Sequence, residues 1–232
     1  MLNKDDRQKI KRYWTNELKK ESLNNIETYI HLSEEFEKDV VEITFFEDYK
    51  IVSIAKGIET VPTILWEIVG YDFQEKVLDD KLRNVIEKNY LTYLSPEEYE
   101  PISIKDAEIR LLSERDKEAF ERLKKQTTPE DNENSFVEMD HPVVFGCLIG
   151  DRLVSVSSNL YWGDHIADIG ILTDSSFRKR GFARATVGAL CEYNIKNGKI
   201  NQYRCVAENT GSYHTAKSVG FETIALVYRF RL

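Results

Sequence analysis

The stretch Asp168–Leu190, DIGILTDSSFRKRGFARATVGAL, decides how this chain is read. It opens on a short apolar run, Ile169-Gly170-Ile171-Leu172-Thr173, with the length and composition of a buried strand. Asp174-Ser175-Ser176, a cluster of turn and cap residues, ends that run. The chain then passes through Arg178-Lys179-Arg180-Gly181-Phe182-Ala183 into a helix with Ala183, Val187, Leu190 and Cys191 on one face. A strand, a basic turn with a glycine and a helix start together make a site for an anion. First-turn N–H groups have no partner inside a helix, and the helix dipole favours negative charge at that end. Arg178, Lys179, Arg180 and Arg184 add formal positive charge, and Gly181 lets the backbone approach a phosphate closely. Taken alone, the same residues also describe a basic helix start on an ordinary α/β protein.

The chain has 232 residues, enough for one large domain or two modest ones. Its 41% hydrophobic and 31% charged residues are the make-up of a water-soluble globular protein. A net charge of −8 sets an overall field that repels nucleic acid, so the basic cluster suits a small anionic ligand instead. Cys147, Cys191 and Cys205 lie far apart in apolar surroundings, without metal or redox spacing, and read as buried reduced thiols. His31, His141, His165 and His214 show no ligand spacing either, so no metal is expected. The N-terminal MLNKDDRQKIKRYW lacks the apolar core of a signal peptide, and no segment is long enough to cross a bilayer. A cytoplasmic location without a membrane partner is the expectation.

Along the chain, Asn3 or Asp5 caps a helix running to about Lys20. Residues 39–47 and 50–56 are apolar strands around the turn Asp48-Tyr49. Residues 72–89 form a second helix with Phe73, Val77, Leu82 and Ile86 on its buried side. Pro96–Pro101, PEEYEP, is the best linker. It separates an N-terminal α+β domain at 1–102, which carries no chemical motif, from a second domain at 103–232. The second domain opens with a strand at Glu108–Leu112 and a helix started by Ser113 and Asp116, a variant capping box. Polar residues 126–142 form a loop or a short irregular helix. Strands at Val143–Ile149, Leu153–Trp162 and Ile166–Thr173 follow, turning at Gly150-Asp151 and Gly163-Asp164. A helix stopped by Gly198, a strand at Gln202–Val206, a helix at Thr210–Val219 and a β-rich run at Phe221–Leu232 complete the order. The fold class is α/β (α+β), a mixed, mostly antiparallel sheet with flanking helices.

Arg178-Lys179-Arg180-Gly181-Phe182-Ala183 fits the Arg/Gln-x-x-Gly-x-Gly/Ala signature of the GNAT superfamily of acyl-CoA-dependent N-acyltransferases. Asn209 to Phe221 resembles that family's Asn…Gly-Phe segment, and the resemblance covers about residues 103–232. The wider pattern, from Asp168 through Cys205, Asn209, Ser212, Ala216 and Lys217 to Gly220-Phe221, looks like a bacterial acetyltransferase branch with an extra N-terminal region. That branch includes self-resistance enzymes acetylating an aminopolyol antibiotic. The resemblance implies a GNAT fold, acetyl-CoA as cosubstrate, and transfer of its acetyl group to an amine. It also implies that the strand Gly170-Ile171-Leu172-Thr173 splays from its neighbour, so that its backbone pairs with the pantetheine arm. Backbone N–H groups of Lys179, Arg180, Gly181, Phe182, Ala183 and Arg184 would hold the pyrophosphate, with Arg178, Lys179 and Arg180 open to the 3′-phosphate. Asn209 would meet the pantetheine or the thioester end, cap the next helix, or both. Ser212 would reach the thiol region.

Acylating an amine needs a neutral amine, a donor for the developing oxyanion and a proton for the leaving thiolate. An aliphatic ammonium with a pKa near ~10 must first lose a proton. Many relatives place a glutamate on the central strand and a tyrosine seven residues after the Asn of the second block. That tyrosine slot is Ala216 here; Tyr213, one turn nearer Asn209, is either a substitute acid or a packing aromatic. For the base, Asp168 is the strand carboxylate nearest the expected place. His165 falls on the opposite face by period two, so the two compete. Glu138, Asp140 and His141 border the expected acceptor pocket or belong to a solvated loop, and Tyr161 and Trp162 wall that pocket or pack in the core. No cysteine or serine has an evident activating partner, so direct transfer in a ternary complex is expected. The rival is a non-catalytic acyl-CoA-binding or regulatory protein on the same fold, motivated by Ala216. The acceptor is open between a small-molecule amine and a peptide N-terminus. The first hundred residues are open to three roles: shaping the acceptor pocket, forming a homodimer surface, or being a degenerate relative of the second domain.

Overall fold

The computed structural model describes residues 2–16, 18–23, 26–58, 63–71 and 73–232. Its elements are α1 (Lys4–Thr15), β1 (Lys19–Leu23), β2 (Ile26–Ser33), β3 (Val40–Phe46), β4 (Tyr49–Ala55), α2 (Thr63–Val69), α3 (Glu75–Lys81) and β5 (Val85–Leu94). There follow β6 (Glu108–Leu111), α4 (Lys117–Lys125), α5 (Pro129–Ser135), β7 (Val143–Ile149), β8 (Arg152–Trp162), β9 (Ile166–Thr173), α6 (Phe182–Lys196), β10 (Ile200–Val206), α7 (Thr210–Val219) and β11 (Glu222–Arg231). Two compact units interleave along the chain: residues 1–9, 93–204 and 211–222 form one, and residues 10–92, 205–210 and 223–232 the other. Among the described residues no helix is long and apolar enough to cross a membrane.

In the first unit β6, β7, β8 and β9 run antiparallel to one another in sequence order, and β10 joins β9 in parallel after crossing through α6. The parallel pair needs such a crossover, because a two-residue turn can only reverse a strand. Between Cys147 and Leu148 the β7–β8 register slips by one residue. Such a bulge re-aims side chains. Leu153 therefore packs with Val156, Phe120 and Leu123 of the α4 core, while Val154 packs with Cys147 and Phe182 at the start of α6. Phe182, buried there, anchors the turn that precedes it. The segment expected as a linker lies on α6: the Tyr99 hydroxyl donates to the Gly188 carbonyl (2.8 Å), and a Cβ on Gly188 would come within 2.9 Å of Ile102. Burial pushes the Tyr99 phenol up to about 12.

In the second unit β4 is buried along its whole length between β3, antiparallel to it, and β2, parallel to it. That position explains why residues 50–55 read as a nearly continuous apolar run rather than an alternating one. β11 pairs with β3, from Ala225 opposite Phe46 to Arg231 opposite Val40. Its Leu226, Tyr228 and Phe230 enter a core with Ile43, Phe45, Val52, Leu65 and Leu78. The compact units thus follow a different division from 1–102 and 103–232, since the last ten residues join strands near the N-terminus.

Two sequence expectations change here. The first helix is capped by Asn3, whose Oδ1 accepts from the Asp6 amide (2.8 Å), but ends at Thr15; Lys19–Leu23 is recruited as a strand against β2. The helix expected at 72–89 is realised only as α3, and Asp72 lies outside the described residues. Leu82 is already extended, Asn84 adopts a left-handed φ of 54°, and β5 begins at Val85. Ile86 is 51% exposed, so its helical spacing was coincidental, and β-branched residues followed by a tract buried in a sheet override a weak helical period.

Candidate functional site

The site is built at the C-terminal end of β9. Pairing between β9 and β10 runs from Ile166/Ile200 to Ile169/Tyr203 and stops there. Gly170, Ile171, Leu172 and Thr173 continue as a strand against β8 alone, opposite Ser158, Ser157, Val156 and Ser155. Buried hydroxyls hold that edge: Ser157 donates to the Gly170 carbonyl (2.7 Å), and Ser155 Oγ lies 2.8 Å from Thr173 Oγ1. Gly170 is required by close approach. The Phe136 carbonyl oxygen would lie 2.6 Å from a Cβ at this position, and that of Ser135 nearer still.

Beyond Thr173, the buried Asp174 carboxylate accepts from the Ser176 amide (2.9 Å) and from Arg152 Nη2 (2.7 Å), which sets the bend out of the strand. Lys179 (φ 60°) and Gly181 (φ 85°) are left-handed, and Gly181 forms the N-cap of α6. Among the described residues, Ile104 Cδ1, 3.9 Å away, is the one atom a Cβ at Gly181 would meet, so backbone conformation rather than crowding calls for glycine. Ala185 N–H bonds back to the Gly181 carbonyl (3.0 Å), so the amides of Phe182, Ala183 and Arg184 project from the helix N-terminus. The cations divide into two groups. Arg178 is paired with Asp131 (2.8 Å), and Arg184 Nε donates to the Ser218 carbonyl (2.9 Å). Arg180 stacks over Phe177 and Phe182, both at 5.1 Å, and Lys179 is exposed. Arg152 lies 4.7 Å from the same Phe177 ring. An open, left-handed turn with outward amides and exposed cations fits a pyrophosphate.

The three candidates for proton transfer, Asp168, His165 and Tyr213, stand in different surroundings. Asp168 accepts from Gln202 Nε2 (2.8 Å) and is bound in a fork by Arg204 Nε (3.1 Å) and Nη2 (2.8 Å). Gln202 in turn accepts from the Tyr93 hydroxyl (2.5 Å). Arg204 lies over the Trp162 ring (4.4 Å) and near Phe136 (5.7 Å). The Asp168 carboxylate is therefore engaged by a guanidinium and an amide. His165 is exposed in the β8–β9 turn, its carbonyl accepting from the Ile200 amide (2.8 Å). Eight residue steps at about 3.3 Å each separate it, at the N-terminal end of β9, from Thr173. Tyr213 is half-buried on α7. Ser212, next to it, meets the buried Tyr203 hydroxyl (2.8 Å) rather than standing free. Asn209 immediately precedes α7, with its amide bonded to the Val206 carbonyl (3.0 Å). Ala216 is fully buried.

Sequence reasoning missed Arg204, Gln202 and Tyr93. Their link to Asp168 depends on the β9–β10 register, which places Gln202 opposite Asp168 and which no local pattern announces. It also left His141 undecided. That imidazole is half-buried, with Nδ1 2.8 Å from Ser158 Oγ, on the strand position opposite Gly170. Burial holds its pKa below the ordinary value, against the opposing pull of Asp140 and Glu138.

A strand freed from one neighbour, followed by a basic left-handed turn and the crossover helix α6, is the arrangement that the family resemblance implies. The family model of GNAT acetyltransferases matches residues 73–226, well over half of the chain, and the chain belongs to that family. A GNAT-family acetyltransferase of Colwellia psychrerythraea superposes with a TM-score of 0.52 at 13% identity, covering 68% of this chain and 61% of that one. A GCN5-related N-acetyltransferase of Kribbella flavida gives a TM-score of 0.50 at 12% identity over 67% and 62%, and one of Sphaerobacter thermophilus 0.51 at 10% over 68% and 55%. At such identities the likeness is one of fold, and this chain spans less than two thirds of the length of each of these relatives. A search of curated protein sequences gives no match.

Proposed function

We propose that the protein transfers an acetyl group from acetyl-CoA to an amine, directly and within a ternary complex. The observation that carries this reading is the end of β9–β10 pairing at Ile169 and Tyr203, directly upstream of the Gly181 turn. The free backbone of Ile171, Leu172 and Thr173 would pair with the pantetheine amides. The amides of Phe182, Ala183 and Arg184, with Lys179 and Arg180, would take the phosphates, and Arg178 would hold α5 to the turn through Asp131. Asn209 and Ser212, at the start of α7, would face the thioester end. Acetyl-CoA supplies an activated acyl thioester. Tyr213, on α7, would return a proton to the leaving thiolate, and Asp168 would act by holding Arg204 and Gln202. Direct transfer is supported by the cysteines: burial pushes Cys147 up to about 11 and Cys205 up to about 12, so neither offers a thiolate nucleophile at neutral pH. Cytoplasmic residence suits the three buried, unbridged thiols. The acceptor is a small-molecule amine or a peptide N-terminus.

The rival, acyl-CoA binding without transfer, is favoured by the buried Ala216 where relatives carry a tyrosine. Two measurements decide. Arg180→Glu combined with Gly181→Asp puts two carboxylates into the anion turn and a strained φ at 181. It should weaken acetyl-CoA binding by at least a hundredfold in calorimetry, and unchanged affinity overturns the site. Thiol release with a panel of amines then separates transfer from mere binding.

A further inference from the structure

We infer that His141 is the base that takes the proton from the acceptor ammonium; this rests on the acetyl-transfer reading above. The β8–β9 register puts Ser158 opposite Gly170, so their Cα atoms are about 4.5–5.5 Å apart and their side-chain positions share a face. Gly170 is the first residue of β9 past its pairing with β10, where the acyl thioester arm would begin to run along the strand. On that face the backbone of Ser135 and Phe136 crosses directly over Gly170, so the half-buried His141 imidazole, held by Ser158, is the titratable side chain fixed beside this point of the strand. The Ser158 hydroxyl is fully buried and holds Nδ1 of His141 at 2.8 Å. With the Nδ1 proton given to Ser158 Oγ, the Nε2 lone pair is the free one, and the tether fixes where it points.

The other candidates are engaged or remote. Asp168 on the same strand has its oxygens taken by Arg204 and Gln202. His165 lies at the far end of β9, His214 is exposed on α7, and His31 Nδ1 is engaged with Ser53 Oγ (3.3 Å). The charges acting on His141 are Asp140 and Glu138, and Glu138 is itself tied to Lys124 Nζ (2.9 Å). Burial favours the neutral imidazole, the form that can accept a proton.

The step balances as follows. Nε2 takes one proton from the R–NH3+ acceptor, giving the free amine and an imidazolium. The amine nitrogen then attacks the thioester carbonyl carbon; the C–N bond forms and the C–S bond breaks. The nitrogen's extra proton passes to the departing thiolate, which leaves as the thiol, and the imidazolium returns its own proton to solvent.

The test uses the full chain and measures thiol release with kanamycin, spermidine and an alanine-terminated tetrapeptide as probe amines. His141→Asn keeps a donor near Nδ1 for Ser158 but has no base. It should lower turnover by at least a hundredfold while acetyl-CoA affinity stays within twofold. His141→Ala should regain part of its turnover when imidazole is added, a recovery that a purely structural histidine would not give. Should the variants fold poorly, nitrogen-15 spectra of the wild type decide, with the other three histidines assigned from their own substitutions. A protonated Nδ1 and an unprotonated Nε2 are expected, and the reverse tautomer overturns the inference. Turnover of His141→Asn within threefold of wild type also overturns it, with acetyl transfer still standing. A wild type that binds acetyl-CoA but acetylates none of the probes removes the transfer reading and this inference with it.

Discussion

Gly170 shows how one missing atom organises the site. Where its Cβ would be, the carbonyl oxygens of Ser135 and Phe136 already sit, so the α5 segment rests directly on β9. Backbone oxygens cannot rotate aside as a side-chain tip can. Gly170→Ala must push α5 away, and overpacking of this kind costs about 1–3 kcal/mol. We expect a thermal midpoint lower by several degrees and weaker acetyl-CoA binding, because α5 also holds Arg178 through Asp131. An alanine variant with wild-type melting and binding would show that the contact is soft. Glycine was legible in the sequence as a strand residue, but its reason was not: the residue pressing on it lies more than thirty positions away. The same holds for Asp168. Its place in an apolar run marked it as paired or used, yet the pairing partner, Arg204, became visible only through the β9–β10 register.

Among the elements, those with local signals could be read and those decided by tertiary pairing could not. β7, β8 and β9 carried apolar runs and glycine turns, and they fall close to where the residues placed them. The α4 start was equally legible. Asp116 accepts from the Ser113 amide (2.8 Å), closing the box with Ser113, and Arg110 grips both of its oxygens at 2.6 and 3.0 Å. The Arg110 guanidinium, helped by that amide, pulls the Asp116 carboxyl down to about 2 from an ordinary 3.8. A carboxyl depressed on folding stabilises the fold fully above its unfolded pKa and loses that contribution as pH falls through the folded one. The contribution is therefore complete above about pH 4 and fades towards pH 2. Asp116→Asn should lose about 1 kcal/mol at neutral pH, the usual cost of a damaged cap, and show a flatter acid limb in urea melts taken between pH 4 and pH 2. An unchanged acid limb would mean that Arg110 and Asp116 are not coupled in solution. By contrast, the α3–β5 boundary had no such box: Leu82 is already extended, and the left-handed Asn84 that leads into β5 has few local cues.

For the whole molecule, the sequence suggested that the acyl-transfer fold ends where the chain ends and begins at residue 103. The pairing of β11 with β3 argues otherwise for stability. A fragment 103–232 would keep β11 but lose β3, together with the core of Ile43, Phe45, Val52, Leu65 and Leu78 that covers Leu226, Tyr228 and Phe230. Each of those three side chains is buried in the full chain, and exposing one costs about 1.5–3 kcal/mol. The fragment would also lose Tyr99 and Ile102 from the face of α6. A strand left apolar on one side and stripped of both its neighbours, β3 and β5, is a template for association. We therefore expect 103–232 to aggregate, or to melt without cooperativity, when followed by circular dichroism and size-exclusion chromatography. The fragment 93–222, which restores Tyr99 and Ile102 and omits the orphaned strand, should be the more soluble of the two. If 103–232 instead runs as a monomer and melts sharply, β11 finds its stability without β3, and the interleaving of the two units is a matter of chain path rather than of energetics.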